Sequence, residues 1–300
     1  MAINAHISSN QTEHTVKDYI KQPQLIEQAL TVVSERLFLA ESLFTKGYNA
    51  QGGGVAYQES VNKYVDEDAD PNEDFAIAEG EEFHQVYMSD VGPQRAGVRK
   101  YAIEGWITFE DEDRNQLGTL SRLTTRMMNT MVKHLDGVTL NMLLTNSKIQ
   151  TINAGAAWGS LATASIWSDL FLTRQKIEDE ELSGGVYVAD TLVISNNTYG
   201  NLMMNQEIRE MFGERDDNPV FVGSMEEIAG LRIMKSPYMS DDFAFVMQKG
   251  ALGGIADEVP LTLKPPERDE SRERIFLRAK RLTVAFLTDP GSIRRLDITP

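Results

Sequence analysis

The sequence predicts an α+β protein, its sheets and helices grouped into two compact regions with two projecting arms. Three observations carry that reading. Residues Val98 to Phe109 alternate, with Tyr101, Ile103, Gly105, Ile107 and Phe109 on one side and Lys100, Ala102, Glu104, Trp106 and Thr108 on the other. That is the period-2 pattern of a half-buried strand. Directly after it, Leu117, Leu120, Leu123, Met127, Met128, Met131, Leu135, Val138, Met142 and Leu143 hold a stripe at helical spacing. The chain then runs through short strand-type segments to a long β-branched and apolar stretch, Ile275 to Leu287.

Taken in order, residues 1 to about 22 are polar and aperiodic and read as a mobile arm. Pro23 precedes a helical segment with Leu25, Ile26, Leu30, Val33, Leu37 and Phe44 on one face, and Gly47 is its expected stop. Gly52-Gly53-Gly54 reads as a flexible hinge at the root of a hairpin arm. Val55, Tyr57 and Val61 begin that arm, and pairing with Val98–Phe109 closes it. Between Glu59 and Glu82 stand ten acidic residues against the single Lys63, a net of −9. So long a stretch with so few apolar residues builds no core of its own and reaches outward.

Glu110, Asp111, Glu112 and Asp113 put negative charge where a helix N-terminus favours it, ahead of a long helix from Thr119 to Asn146. The methionines of its stripe are core filler. Trp158 to Glu181 predicts a second helix with Ile166, Leu170 and Ile177 inward. Val186 to Ser195 reads as a buried strand, Asn196 or Asn197 as the cap of a short helix, and Gly213 as the end of the next. Leu231–Met234 and Phe243–Met247 are further strands, and Asp289-Pro290 closes the stretch that begins at Ile275.

Composition removes whole classes of function. Three hundred residues suffice for a core without staples. With no cysteine there is no disulfide framework, thiolate metal site or thiol nucleophile. The net charge of −16 lacks the basic surplus of a protein that grips nucleic acid, so any meeting with DNA is that of a container wall. The longest uncharged stretch, Ile149 to Ser168, has only 11 apolar residues in 20, too few for a membrane span. The first residues show no signal peptide.

Catalytic and metal motifs fail one by one. His6, His14, His84 and His134 share no ligand spacing. Asp66, Asp68 and Asp70 imitate the start of a calcium loop, but Pro71 holds the required glycine position and Ile77 the required glutamate. The glycine triplet lacks the Gly-Lys-Ser/Thr ending of a phosphate cradle. Asp190, Ser195 and Tyr199 have no histidine nearby in sequence. No enzyme activity, metal or cofactor is expected. What remains is a charge contrast: from Lys264 to Arg295 there are nine basic and five acidic residues, a net of +4 set against the −9 segment. Between subunits such patches steer assembly.

The order of these features resembles the major capsid protein of tailed double-stranded DNA phages, with the Hong Kong 97 fold. The resemblance rests on Glu104 to Asn146, on Ala189-Asp-Thr-Leu-Val-Ile-Ser195, on Ile228-Ala-Gly-Leu-Arg-Ile-Met-Lys-Ser-Pro237, on Gly250-Ala-Leu-Gly-Gly-Ile-Ala-Asp-Glu258 and on the closing strand up to Pro290. It implies an N-terminal arm and helix (1–50), an extended loop hairpin (51–105) and a peripheral domain with its spine helix (106–148). An axial domain (149–256) and a return to the peripheral domain (257–300) complete it. It further implies hexamers and pentamers in an icosahedral shell around phage DNA, in the virion, assembled in the bacterial cytoplasm. The implied partners are other copies of the chain, a portal protein, a separate scaffolding protein and a decoration or cementing protein, with no membrane. The extended loop, with Lys63, Asp66, Asp68, Asp70, Glu79, Glu81 and Glu82, then meets the basic peripheral segment of a neighbour at Arg268, Arg272, Arg274 and Arg278. Some relatives cross-link a loop lysine to a peripheral asparagine. Lys63 and Lys100 are the lysines here, but residues 256 to 300 hold no asparagine, so noncovalent contacts are expected. The other readings are an encapsulin-type nanocompartment, which needs an inner cargo groove, and a soluble oligomeric enzyme, which needs a catalytic constellation.

Overall fold

The computed structural model describes residues 39–59, 79–80, 92–114, 117–179, 187–212 and 225–299, with Val16 and Ile20. In chain order its elements are α1 (Leu39–Leu43), β1 (Thr45–Asn49), β2 (Gly54–Tyr57), β3 (Gln94–Gly97), β4 (Arg99–Thr108), α2 (Phe109–Asp113) and α3 (Leu117–Thr145). Then follow β5 (Thr151–Asn153), α4 (Ile166–Glu178), β6 (Thr191–Ser195), α5 (Asn196–Met204), α6 (Gln206–Phe212), β7 (Glu227–Ile228) and β8 (Leu231–Ser236). The last are β9 (Phe243–Met247), β10 (Gly253–Asp269), β11 (Arg274–Leu287) and β12 (Ile293–Asp297).

A four-stranded sheet has the order β1-β10-β11-β4. The expected alternation at 98–109 is real, and its apolar side faces the long helix. Ile107, Ile275, Leu277 and Ala279 pack against Met127, Met128, Met131 and Leu135 of α3. At Gly105 helix and sheet come so close that an added Cβ would lie 2.6 Å from Leu123 Cδ1. The helix has 29 residues, about 43 Å at ~1.5 Å per residue, and continues through Gly118 and Gly137. A second sheet of order β5-β12-β9-β6-β8-β7 is covered by α4, α5 and α6 over Trp158, Ile166, Leu170, Ile177, Leu192 and Leu202. A third cluster joins the two regions, bringing Leu43, Phe44, Leu140 and Leu143 against Val193, Phe245, Met247 and Ile293. Among the described residues no helix is long and apolar enough to cross a membrane.

Several expectations change. The partner of Val55 is not the 98–109 strand but β3, which pairs Gly54–Tyr57 with Gln94–Gly97 in a separate two-stranded ribbon. All of β4 belongs to the four-stranded sheet, so the hairpin ends near residue 97 instead of 105. The glycine triplet is a defined turn: Gly52 and Gly53 take φ of +61° and +77°, and Gln51 N–H donates to Gly54 O at 3.3 Å. Two positive φ values in a row are the two-residue hairpin geometry that glycine favours. Gly47 does not stop a helix. It lies in β1 at a register shift, with α1 already ended at Leu43.

The four acids cap a helix of their own. Thr108 and Asp111 form a reciprocal capping box at α2, and α3 starts separately. Ser195, not Asn196 or Asn197, caps α5 by accepting from Thr198 N–H at 3.0 Å. Val16 and Ile20, placed in a polar arm, are buried against the α3 core. The return of the chain is also different from expectation, since β12 lies between β5 and β9 in the second sheet. The apolar positions Leu25 to Leu37 and Gly213 lie outside the described residues.

The 17-residue β10 escaped the sequence reading because Pro260, Pro265 and Pro266 interrupt it. β1 pairs only with its first part, Gly254 to Asp257. Beyond that β10 is an edge strand with register shifts at 257/259, 259/262 and 264/267. Proline is tolerated there because no outer neighbour needs its missing N–H, and it discourages an unwanted one.

Candidate assembly surface

The side of the four-stranded sheet turned away from α3 carries the even-numbered residues of β4 and β11. Glu104 stands opposite Arg278, and Trp106 opposite Phe276. Trp106 is 45% exposed although its strand is held on the other face by the core. The Arg274 guanidinium lies 4.0 Å from the Trp106 ring centre, and that of Arg278 5.5 Å from Phe276. Arg278 also bridges Glu104 and Glu267, one on each neighbouring strand. At the sheet's end Arg268 pairs with the buried Glu112 at 2.7 Å and lies over Phe109 at 5.4 Å. The hairpin tip is ordered by Asp269, whose Oδ1 accepts from Ser271 N–H at 3.0 Å. The Ser271 hydroxyl, which also donates to that carboxylate, is the main reason its pKa lies below the usual value. Arg272 is exposed at this tip.

The structure thus brings all four named arginines to one end of one sheet, but Arg268, Arg274 and Arg278 already have partners in the same chain. Those partners, Glu104, Trp106, Glu112, Glu267 and Phe276, were not singled out from sequence. The signal for two of them was present in the alternation at 100–108, which puts Glu104 and Trp106 on the outward side. Of the acidic set, Glu79 is exposed beside Gly80, while Lys63, Asp66, Asp68, Asp70, Glu81 and Glu82 lie outside the described residues.

The acidic segment leaves the fold from a firm root. Tyr57 lies 5.1 Å from Phe286 of β11, and Arg95 Nη2 donates to Gly52 O at 2.8 Å. Beyond the ribbon, the buried Glu59 pairs with Lys148 in the loop after α3. Deeper in, Arg281 is buried between Glu41 of α1 and Asp257 of β10, with Lys46 on Glu41 at 2.9 Å. Burial raises the Glu41 pKa, but Arg281 and Lys46 outweigh it and hold the carboxyl below its ordinary value.

The residues that suggested catalysis are engaged in structure. Ser195 Oγ bonds Thr198 and Asp241, Tyr199 Oη accepts from Met225 N–H at 2.7 Å, and Asp190 Oδ1 accepts from Lys249 N–H at 2.8 Å. Among the described residues no three acidic or histidine side chains converge as metal ligands.

The profile of the family described as phage capsid protein matches residues 93–296, from β3 to the last strand. The chain belongs to that family. It is a major capsid protein, a subunit of an icosahedral shell. Solved capsid structures share its fold, which is of the Hong Kong 97 type. The virus-like particle from Pyrococcus furiosus is 12% identical, covering 91% of this chain and 98% of that one, with a TM-score of 0.60. The capsid of the cyanophage P-SCSP1u is 16% identical over 87% and 88%, with a TM-score of 0.59. A structure of Mycobacterium phage Che8 is 14% identical over 86% and 90%, also at 0.59. No curated protein matches this capsid protein by sequence.

Proposed function

We propose that this capsid protein forms hexamers and pentamers whose shell encloses double-stranded DNA, and that the acidic segment of one subunit lies across the outer sheet face of a neighbour. The observation that carries the contact is the open face itself. It holds Trp106, Phe276 and a row of guanidinium groups, with no element of its own chain over it among the described residues. The −9 of the segment from Glu59 to Glu82 is the charge complement to the +4 of residues 264–295. Since Arg268 and Arg278 already serve Glu112, Glu104 and Glu267, Arg272 and Arg274 are the cations left for the neighbour. On this reading the α3 sheet is the peripheral domain and the second sheet the axial domain at the capsomer centre. The overall −16 suits an inner wall that repels packaged DNA. A portal protein, a separate scaffolding protein and a decoration or cementing protein are its further partners, and assembly takes place in the host cytoplasm.

Deleting residues 58–90 tests the contact. The ribbon root, both sheets and all three core clusters lie outside that range, so the subunit folds, and circular dichroism keeps its native signal. Closed shells disappear from negative-stain images of the deletion protein. Shells of normal size and number from it would refute the assignment.

A further inference from the structure

The second feature of the four-stranded sheet is its open edge. Phe109 N–H donates to Glu273 O at 3.0 Å, and the register runs unbroken from Arg274↔Thr108 to Thr283↔Arg99. In an antiparallel ladder hydrogen-bonded pairs recur every second residue. The odd residues of β4 therefore spend their backbone groups on β11, and Lys100, Ala102, Glu104 and Trp106 point theirs outward. All four are exposed, and no strand lies beyond them in the sheet order. The other edge of the same sheet is guarded by three prolines and by register shifts, whereas β4 has neither. A long, regular, unguarded edge is a template for another strand.

We propose that this edge pairs with the same edge of a second copy of the chain, β4 against β4 about a two-fold axis at Ala102. This rests on the reading of the chain as a self-assembling shell subunit. An antiparallel pairing centred there sets Ala102 against Ala102 and Lys100 against Glu104 twice, so every outward charge at the centre meets its opposite. Six backbone hydrogen bonds form, two from each of the three residue pairs. Glu104 has an oxygen to offer, because Arg278 bonds only its Oε2. The neighbouring registers are poorer. A centre at Glu104 opposes two carboxylates, and a centre at Ile103 sends Lys100 to a Trp106 ring already covered by Arg274.

The absence of native cysteine makes the test clean. Directly opposed residues of a hydrogen-bonded pair have Cα atoms about 5.5 Å apart, within disulfide reach. In assembled full-length protein, Ala102→Cys gives a disulfide-linked dimer on oxidation and Glu104→Cys gives none. Shells of the Ala102→Cys protein without the dimer, or equal dimer from both variants, overturn the pairing while leaving the shell reading intact. If Ala102→Cys does not assemble, charge exchange decides. Lys100→Glu and Glu104→Lys each weaken subunit association about tenfold in sedimentation, and the double variant restores it. Failure of the double variant to restore association sinks the proposal.

Discussion

Arg281 shows how much a single buried side chain governs in this subunit. Its guanidinium ties α1, β10 and β11 together through Glu41 and Asp257. Removing it strands Glu41 in a site whose burial works against the charge. Arg281→Met should lower stability by about 3–5 kcal/mol at neutral pH, as loss of one partner of a buried pair commonly does, and urea melts measure it. The pH dependence also changes sign. In the native protein Glu41 is held below its unfolded value, so its stabilisation is complete above the ordinary carboxylate range and is lost as acid protonates it. Without Arg281, burial raises Glu41, and protonation relieves a penalty instead. Melts near pH 4 should therefore narrow the gap between the two proteins. None of this was legible beforehand. Glu41, Asp257 and Arg281 are far apart in the chain, and Arg281 entered only as one of nine basic residues in a charge count.

Elements were legible where one physical signal dominated. The alternation at 98–109 and the stripe at 117–143 each answer to a single core face, and both appear within two residues of their expected bounds. Signals failed where two requirements competed. In β10 the need to guard an edge overrode strand-like composition, and the prolines hid a strand longer than any that was anticipated. At Gly52-Gly53 the sequence suggested freedom where the chain needs a left-handed turn. That difference is testable at the level of the ribbon. Gly53 has φ +77°, and a Cβ added there would meet nothing within 4 Å, so Gly53→Val acts through backbone strain alone. It should cost about 1–2 kcal/mol and speed proteolysis within β2 and β3. Gly97→Val, equally open but without a positive φ, should leave both unchanged.

For the whole molecule the sequence pointed correctly to a shell subunit, because the order of its elements carries the fold even though no one segment is specific. The assembly surface was legible only as a charge contrast. Which arginines are available depended on partners that only the folded sheet supplies, such as Glu104 and Glu267 for Arg278. The electrostatic prediction therefore centres on Arg272 and Arg274. Reversing both to Glu should weaken assembly most at low ionic strength, and the deficit should shrink as salt rises and the screening length falls below ~10 Å. Light scattering across a salt series measures this, and a deficit independent of salt would show that charge does not drive the contact.

The position of β12 has a consequence in time. Residues 293–297 form an interior strand of the six-stranded sheet, between β5 and β9, and Arg295 and Leu296 pair with Thr151 and Ile152 from the middle of the chain. The second sheet therefore stays in two pieces until this strand has left the ribosome. A chain broken off before it lacks the strand that joins β5 to the rest, and its apolar partners Ala244, Phe245 and Met247 are left without their cover on that side. Completion of synthesis and competence to enter a shell thus coincide, and prematurely ended chains are sorted from finished ones by folding itself.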